Sequence, residues 1–232
     1  MKIKLYHYPA TRSARVLWML HELAPDIEIE TETIDLYGGE QYQSNFRSLF
    51  PFHAVPAIEI SSNSQPIIRM TESGAILVAL GDAFPQKNLA PAPLPISQAR
   101  ADYLHVIHAC GAVFDMILWQ IRIHEHDLNA SERDDRTIAR YRRKYIEEVD
   151  PFLAGRLSSA PYICGERFTA ADCMAGHIVM WAQRYGLPSG DTTQAYLSRL
   201  AERPAFQAAF VDAVEFEPML PQDAPARALF TG

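Results

Sequence analysis

The chain has 232 residues, 48% of them hydrophobic and 21% charged, with a formal net charge of −7. That length supports one large domain or two modest ones, each able to bury a core. The charge is spread, 6 basic against 10 acidic residues in 1–85 and 15 against 18 in 86–232, so no basic stripe exists and nucleic acid is excluded as an expected partner.

Three cysteines, Cys110, Cys164 and Cys173, are odd in number and widely spaced, which argues against a disulfide framework or a zinc ribbon. The N-terminus leads from Met1-Lys2-Ile3-Lys4-Leu5 into tyrosines and a proline, not into an apolar leader. The sequence offers no apolar run near the roughly 18–20 residues of a membrane span. The expectation is a soluble, cytoplasmic protein with no membrane partner.

Lys2–Tyr8 alternates apolar and polar residues and reads as a strand, broken by Pro9-Ala10-Thr11-Arg12. Val16, Leu20 and Leu23 recur at helical spacing over Ser13–Leu23, and Pro25 ends that helix. Ile27–Leu36 alternates as a second strand with one wet face; Gly38-Gly39 opens a loop, with a short helical stretch around Gln43–Leu49. Ala57–Ile60 and Pro66–Arg69 flank Ser61-Ser62-Asn63-Ser64 and read as a hairpin. A helix then runs from about Thr71 to Phe84. The order β-α-β, loop, β-β-α predicts a small α/β domain over 1–85 with parallel and antiparallel strands in one sheet.

Pro85–Pro95 holds four prolines and predicts a stiff linker, 86–95. Beyond it the patterns are helical: Ser97–Leu128, Glu132–Leu157, Ala170–Tyr185, Thr193–Glu202 and Pro204–Val214. The third carries Met174, Ile178, Trp181 and Tyr185 on one face. The basic run Arg140, Arg142, Arg143, Lys144 meets Glu147 and Glu148 at i,i+4 spacing and reads as a solvated face. Residues 96–232 thus predict an all-helical domain with an irregular tail from Glu215. His105 and His108, and the run His124-Glu125-His126, lack a further ligand at suitable spacing, so no metal is expected.

Three constellations carry chemistry. Val55-Pro56 stands directly before a strand; a cis bond there would turn the Val55 backbone outward to pair with an extended peptide, and the alternative is an ordinary turn proline. Glu72-Ser73 opens a helix, whose unpaired N–H groups attract a carboxylate while Glu72 can accept from an ammonium; the alternative is a plain cap. Thr11 and Ser13 sit where a strand hands over to a helix. There a hydroxyl donor and the helix dipole both favour a thiolate, and either residue can also cap the helix.

Together these segments resemble the glutathione S-transferase superfamily, bacterial type, over nearly the whole chain. Tyr6-His7-Tyr8-Pro9-Ala10-Thr11-Arg12-Ser13 is similar to its catalytic turn. Gly39-Glu40-Gln41 and Ala54-Val55-Pro56-Ala57 resemble its second binding loop and cis-proline segment, and Thr71-Glu72-Ser73-Gly74-Ala75-Ile76 its γ-glutamyl signature. Gly165-Glu166-Arg167-Phe168-Thr169-Ala170-Ala171-Asp172 matches its folding signature, a capping box of Thr169 and Asp172 with Phe168 as staple.

The resemblance implies a thioredoxin-like N-terminal domain followed by a C-terminal helical bundle, and glutathione as co-substrate. It implies that Val55 and Pro56 hold the cysteinyl backbone, Glu72 and Ser73 the γ-glutamyl end, and Gln41 the glycyl end. Ser13, Thr11 or Tyr6, in that order, would activate the sulfur. The sequence departs from the family where classes with a redox cysteine carry it, here Arg12, and where a lysine often precedes Val-Pro, here Ala54; Arg12 or His53 would then meet the glycyl carboxylate. Asp115, Met116, Trp119 and Arg122, with Ile123, lie on adjacent turns and are candidates for a second-substrate pocket or for bundle core. The implied activity is conjugation of glutathione to a small hydrophobic electrophile in detoxification, by a homodimer. Glutathione-dependent disulfide or peroxide reduction and non-enzymatic ligand binding are the alternatives.

Overall fold

The structure, a computed structural model, describes residues 1–62 and 65–215. It divides into two compact units, 1–77 with 204–232, and 78–203. Asn63 and Ser64 of the expected hairpin turn, and the expected tail beyond 215, lie outside the described residues.

The first unit is built on a four-stranded sheet in the order β2-β1-β3-β4. Its strands are β1 (Lys2–His7), β2 (Glu28–Thr33), β3 (Ala57–Ser62) and β4 (Gln65–Thr71). β2 runs parallel to β1, whereas β3 is antiparallel to both β1 and β4. The period-2 alternation of β1 gives two faces. Ile3, Leu5 and His7 are buried on one, against which α1 (Ser13–Leu23) packs. The other carries Lys2 and Lys4, paired with Glu28, Glu30 and Glu32 of β2, and Tyr6, which joins Phe46 and Phe50 in a second apolar cluster. Phe46 belongs to the short helix α2 (Ser44–Leu49), and α3 is Ser73–Ala83. The mixed sheet with its helices is the α/β architecture expected of the N-terminal region.

β2 is shorter than the Ile27–Leu36 expected from its alternation. Asp35 ends it: its carboxylate accepts from the Gly38 N–H at 2.7 Å and its carbonyl from the Glu40 N–H at 3.0 Å, which pulls the chain into a turn. The β1–α1 junction also differs from expectation, because the N-cap of α1 is Arg12 without a side-chain capping bond. Thr11 and Ser13 direct their hydroxyls back to the Tyr8 carbonyl instead.

The C-terminal helix α10 (Pro204–Phe210) belongs to this same unit and packs on α1. Trp18 is fully buried, with Phe206 and Phe210 edge-on to it at ring separations of 5.0 and 6.0 Å. A turn of 3-10 helix, 211–215, follows.

The second unit is helical: α4 (Gln98–His108), α5 (Asp115–Arg122), α6 (Asp135–Lys144), α7 (Asp150–Leu157), α8 (Ala170–Arg184) and α9 (Asp191–Ala201). The two long helices read from the sequence are each interrupted by π-helical turns, Ala109–Phe114, Ile123–Asp127 and Tyr145–Val149, which add a residue per turn and rotate the faces beyond them. The run Gln98–Asp127 is, by length and composition alone, long and apolar enough to cross a membrane, which corrects the sequence reading; 44% of its apolar window is buried inside the protein. The expected pairs Arg143–Glu147 and Lys144–Glu148 form at 3.9 and 3.1 Å on the exposed face.

The proline-rich segment is held by specific bonds. Arg100 donates to both carboxylate oxygens of Asp82 at 2.7 and 2.8 Å and to the Pro91 carbonyl at 2.9 Å. Gly81 permits the close approach, since a Cβ there would lie 2.9 Å from that of Ala90. The Leu89 carbonyl accepts from the Ala170 N–H at 2.8 Å, one of the orphan donors at the start of α8. The expected capping box is present at that helix end, with Phe168 buried beside it.

Candidate active site at the end of the sheet

Strand register brings the three constellations of the N-terminal domain together. Tyr6 lies opposite Ala57, and Ala57 opposite Thr71, so the exit of β1, the entry of β3 and the exit of β4 are side by side. The Tyr8–Ser13 turn, Val55-Pro56 and Glu72-Ser73 therefore share one end of the sheet. The Val55–Pro56 peptide bond is cis, with Val55 half-buried and Pro56 buried. Glu72 is exposed and left-handed at φ 67°, and its carbonyl accepts the first bond of α3 from Ile76. Ser73 is buried, and its Oγ accepts from Nη1 of the fully buried Arg15 at 3.3 Å. A buried guanidinium thus reinforces the positive end of α3.

The hydroxyls of the turn form a chain. Thr11 is half-buried; its Oγ1 donates to the Tyr8 carbonyl at 2.7 Å and lies 2.9 Å from Ser13 Oγ. Ser13 is fully buried; its Oγ accepts from the Tyr8 N–H at 3.0 Å and lies 2.8 Å from His7 Nδ1. His7 Nε2 in turn lies 3.3 Å from Asp212 Oδ2. Burial pulls the His7 pKa down, and Asp212 opposes that shift. The order serine, histidine, aspartate is that of a hydrolase triad, yet a serine without exposed surface cannot attack a substrate.

Tyr6, the third sulfur candidate, donates to Glu59 Oε2 at 3.2 Å on the other face of the sheet, and burial pushes its pKa up. Gln41 is buried and donates to the Leu36 carbonyl at 3.2 Å, while its Oε1 has no hydrogen-bond partner among the described residues. Arg12 is half-buried at the N-cap of α1; His53 is exposed, with its ring 4.8 Å from that of Tyr42.

Among the pocket candidates of the helical unit, Asp115 is buried, Met116 exposed, and Trp119 and Arg122 half-buried. Arg122 donates to Asp127 at 3.2 Å and to the Tyr185 hydroxyl at 3.0 Å. Of the cysteines, Cys164 has its thiol pushed up to about 12 by burial, far from a neutral-pH thiolate. Among the described residues no three His, Cys, Asp or Glu side chains are grouped to hold a metal.

Sequence reading missed His7, Arg15 and Asp212. His7 had a signal, since it continues the inward register of Ile3 and Leu5; Asp212 reaches it across 205 positions and had none.

Fold and site define a two-part protein with a mixed-sheet N-terminal region and a helical C-terminal one. Residues 1–78 match the glutathione S-transferase N-terminal domain and residues 130–210 the glutathione S-transferase C-terminal domain. The chain belongs to the glutathione S-transferase superfamily, and its fold is thioredoxin-like followed by helical. An uncharacterized GST-like protein of Streptococcus mutans is 26% identical over 78% of this chain, and a glutathione S-transferase domain-containing protein of Dictyostelium discoideum is 26% identical over 71%. The chain spans less than two thirds of these relatives, 65% and 61% of their lengths.

Solved structures share the fold. A glutathione transferase family member from Pseudomonas fluorescens, with two glutathione bound, matches at TM-score 0.77 and 22% identity over 90% of this chain and 92% of its own. One from Burkholderia graminis, with two glutathione molecules per subunit, matches at 0.77 and 21% over 93% and 90%.

Proposed function

We propose that this protein binds glutathione at the shared end of the sheet, activates it as the thiolate and conjugates it to a small hydrophobic electrophile. The observation that carries this reading is the register that aligns Tyr6, Ala57 and Thr71 and so gathers the hydroxyl turn, the cis Val55–Pro56 segment and Glu72-Ser73. Val55 would pair with the cysteinyl backbone. Glu72 would accept from the γ-glutamyl ammonium, the N-terminus of α3 with Arg15 behind it would receive the α-carboxylate, and Gln41, Arg12 or His53 would meet the glycyl end. Thr11 is the proposed sulfur donor, because it has exposed surface whereas Ser13 is fully buried. Asp115, Met116, Trp119 and Arg122 are the proposed acceptor-pocket residues. Cytoplasmic location, a homodimer, and domain limits of 1–85 and 96–232 belong to the same proposal.

Isothermal calorimetry tests the site. Glutathione is expected to bind wild type saturably, and Glu72→Ala to weaken it about tenfold, the loss of one charge-assisted contact. No binding by wild type, or equal binding by the variant, rejects the assignment.

A second reading has support from the two glutathione molecules held by the Pseudomonas and Burkholderia structures. It is disulfide reduction, in which the bound thiolate attacks the glutathione sulfur of a mixed disulfide, the other thiol departs as its thiolate, and glutathione disulfide is formed. The half-buried Cys164 thiol takes no part in either scheme. Turnover of a glutathione mixed disulfide, with indifference to aryl halides, would select this second reaction.

A further inference from the structure

We propose that His7, backed by Asp212, takes up the proton that the glutathione thiol gives up at Thr11, passed along the hydroxyls of Thr11 and Ser13. This rests on the glutathione reading above and deepens it, because it says where the thiol proton goes. His7 touches no substrate; it is a positioning residue that sets the direction of the hydroxyl chain.

The distances carry the argument. Thr11 Oγ1 to Ser13 Oγ is 2.9 Å, Ser13 Oγ to His7 Nδ1 is 2.8 Å, and His7 Nε2 to Asp212 Oδ2 is 3.3 Å. Each hydroxyl has one proton and can reverse it. With His7 neutral, Nε2–H donates to the Asp212 carboxylate and Nδ1 offers its lone pair to Ser13 O–H. Ser13 then accepts from the backbone N–H of Tyr8, and Thr11, with its proton turned from the Tyr8 carbonyl to Ser13 Oγ, presents Oγ1 lone pairs to an incoming S–H. In that state the turn accepts and does not donate.

Transfer reverses every link. The S–H bond breaks and its proton joins Thr11 Oγ1; the Thr11 proton moves to Ser13 Oγ, and the Ser13 proton to His7 Nδ1. The products are a thiolate and an imidazolium. Both imidazolium N–H groups are donors: Nε2–H faces the Asp212 carboxylate, and Nδ1–H faces Ser13. Ser13 now donates to Thr11 and Thr11 to the sulfur, so the flipped chain stabilises the anion it created.

The surroundings suit this exchange. His7 is buried, so water does not short-circuit it; burial lowers its pKa and Asp212 counters that shift, so the imidazolium depends on the carboxylate. The influences acting on its charge are that burial and Asp212 from the 211–215 turn. Helix α1 presents the uncharged Ser13, its buried cation Arg15 is hydrogen-bonded to Ser73, and β2 continues into Ile34, whose N–H meets the His7 carbonyl. Asp212 itself is delivered by α10, whose Phe206 and Phe210 dock on Trp18.

The test is a proton inventory on glutathione binding. Wild type, Asp212→Asn and His7→Gln are titrated with glutathione at one neutral pH in two buffers of different ionisation enthalpy, with thiolate formation followed by ultraviolet absorbance. The Asp212 side chain is 41% exposed, so its variant keeps the fold if the packed His7 variant does not. Wild type is expected to form thiolate while releasing far less than one proton per thiolate. In Asp212→Asn about tenfold less thiolate forms, and what forms releases close to one proton. A full proton released by wild type, or identical release and thiolate in Asp212→Asn, overturns the relay while leaving the glutathione site intact. Absence of glutathione binding by wild type overturns the site and the relay together.

Discussion

Asp172→Ala is expected to lower the unfolding free energy by about 3–5 kcal/mol, the range for removing one partner from a buried charged network. Asp172 is fully buried at the start of α8, and its carboxylate serves four donors. Oδ1 accepts from the Ile163 N–H at 2.9 Å and the Tyr196 hydroxyl at 2.8 Å; Oδ2 accepts from the Thr169 N–H at 2.8 Å and the Thr169 hydroxyl at 3.2 Å. Alanine leaves all four without an acceptor in a space that water does not reach, while removing only a small apolar volume. Asparagine repairs little, since its NH2 group turns a donor against two of the same donors.

The pH dependence separates this from ordinary loss of packing. Burial pushes the Asp172 pKa from 3.8 to about 6 despite its four donors. Between those values the folded protein holds a proton that the unfolded chain has released, so this group's contribution to stability falls as pH rises through the window and is constant above it. The shift is worth about 3 kcal/mol at most. Urea unfolding of wild type and Asp172→Ala at pH 4.5 and 7.5 reads it: the gap between them is expected to be wider at the acid pH. A gap independent of pH would show that the carboxylate is charged throughout.

What the sequence disclosed here was periodic or local. The strand alternation of Lys2–Tyr8, the helix Ser13–Leu23 and the Thr169-Ala170-Ala171-Asp172 box depend on neighbours within a few positions, and the structure has them there. The π-helical turns of the long helices broke the 3.6-residue count, so the side of α5 that Met116 faces, which is solvent, was not readable from spacing. The candidate site was legible as three separate segments, because each has its own residue types. Their alignment at one sheet end depends on strand register, and the choice between Thr11 and Ser13 on burial; neither is a property of local sequence. Asp212 lay furthest out of reach, since only the docking of α10 on Trp18 brings it to His7.

That difference in burial gives the other large effect. Thr11→Val is expected to lower kcat/KM for glutathione conjugation about 100-fold, as removal of one preorganised donor to a developing or bound anion does. Valine keeps the β-branch and the volume and removes the hydroxyl of Thr11, which unlike Ser13 has exposed surface, so affinity for glutathione should change less than about threefold. Ser13→Ala differs in kind. Ser13 Oγ is bonded within the turn and to His7, so its loss removes the acceptor of the Tyr8 N–H bond and loosens the β1–α1 junction as well as the relay. It should lose stability together with rate. Tyr6→Phe removes a hydroxyl already engaged with Glu59 on the opposite face of the sheet, and its rate should stay within about threefold of wild type. Steady-state kinetics with an aryl halide, alongside thermal unfolding of the three variants, separates these cases. If Thr11→Val keeps full activity while Tyr6→Phe loses it, the sulfur sits on the Tyr6 side of the sheet and the hydroxyl chain to His7 is purely a structural tie.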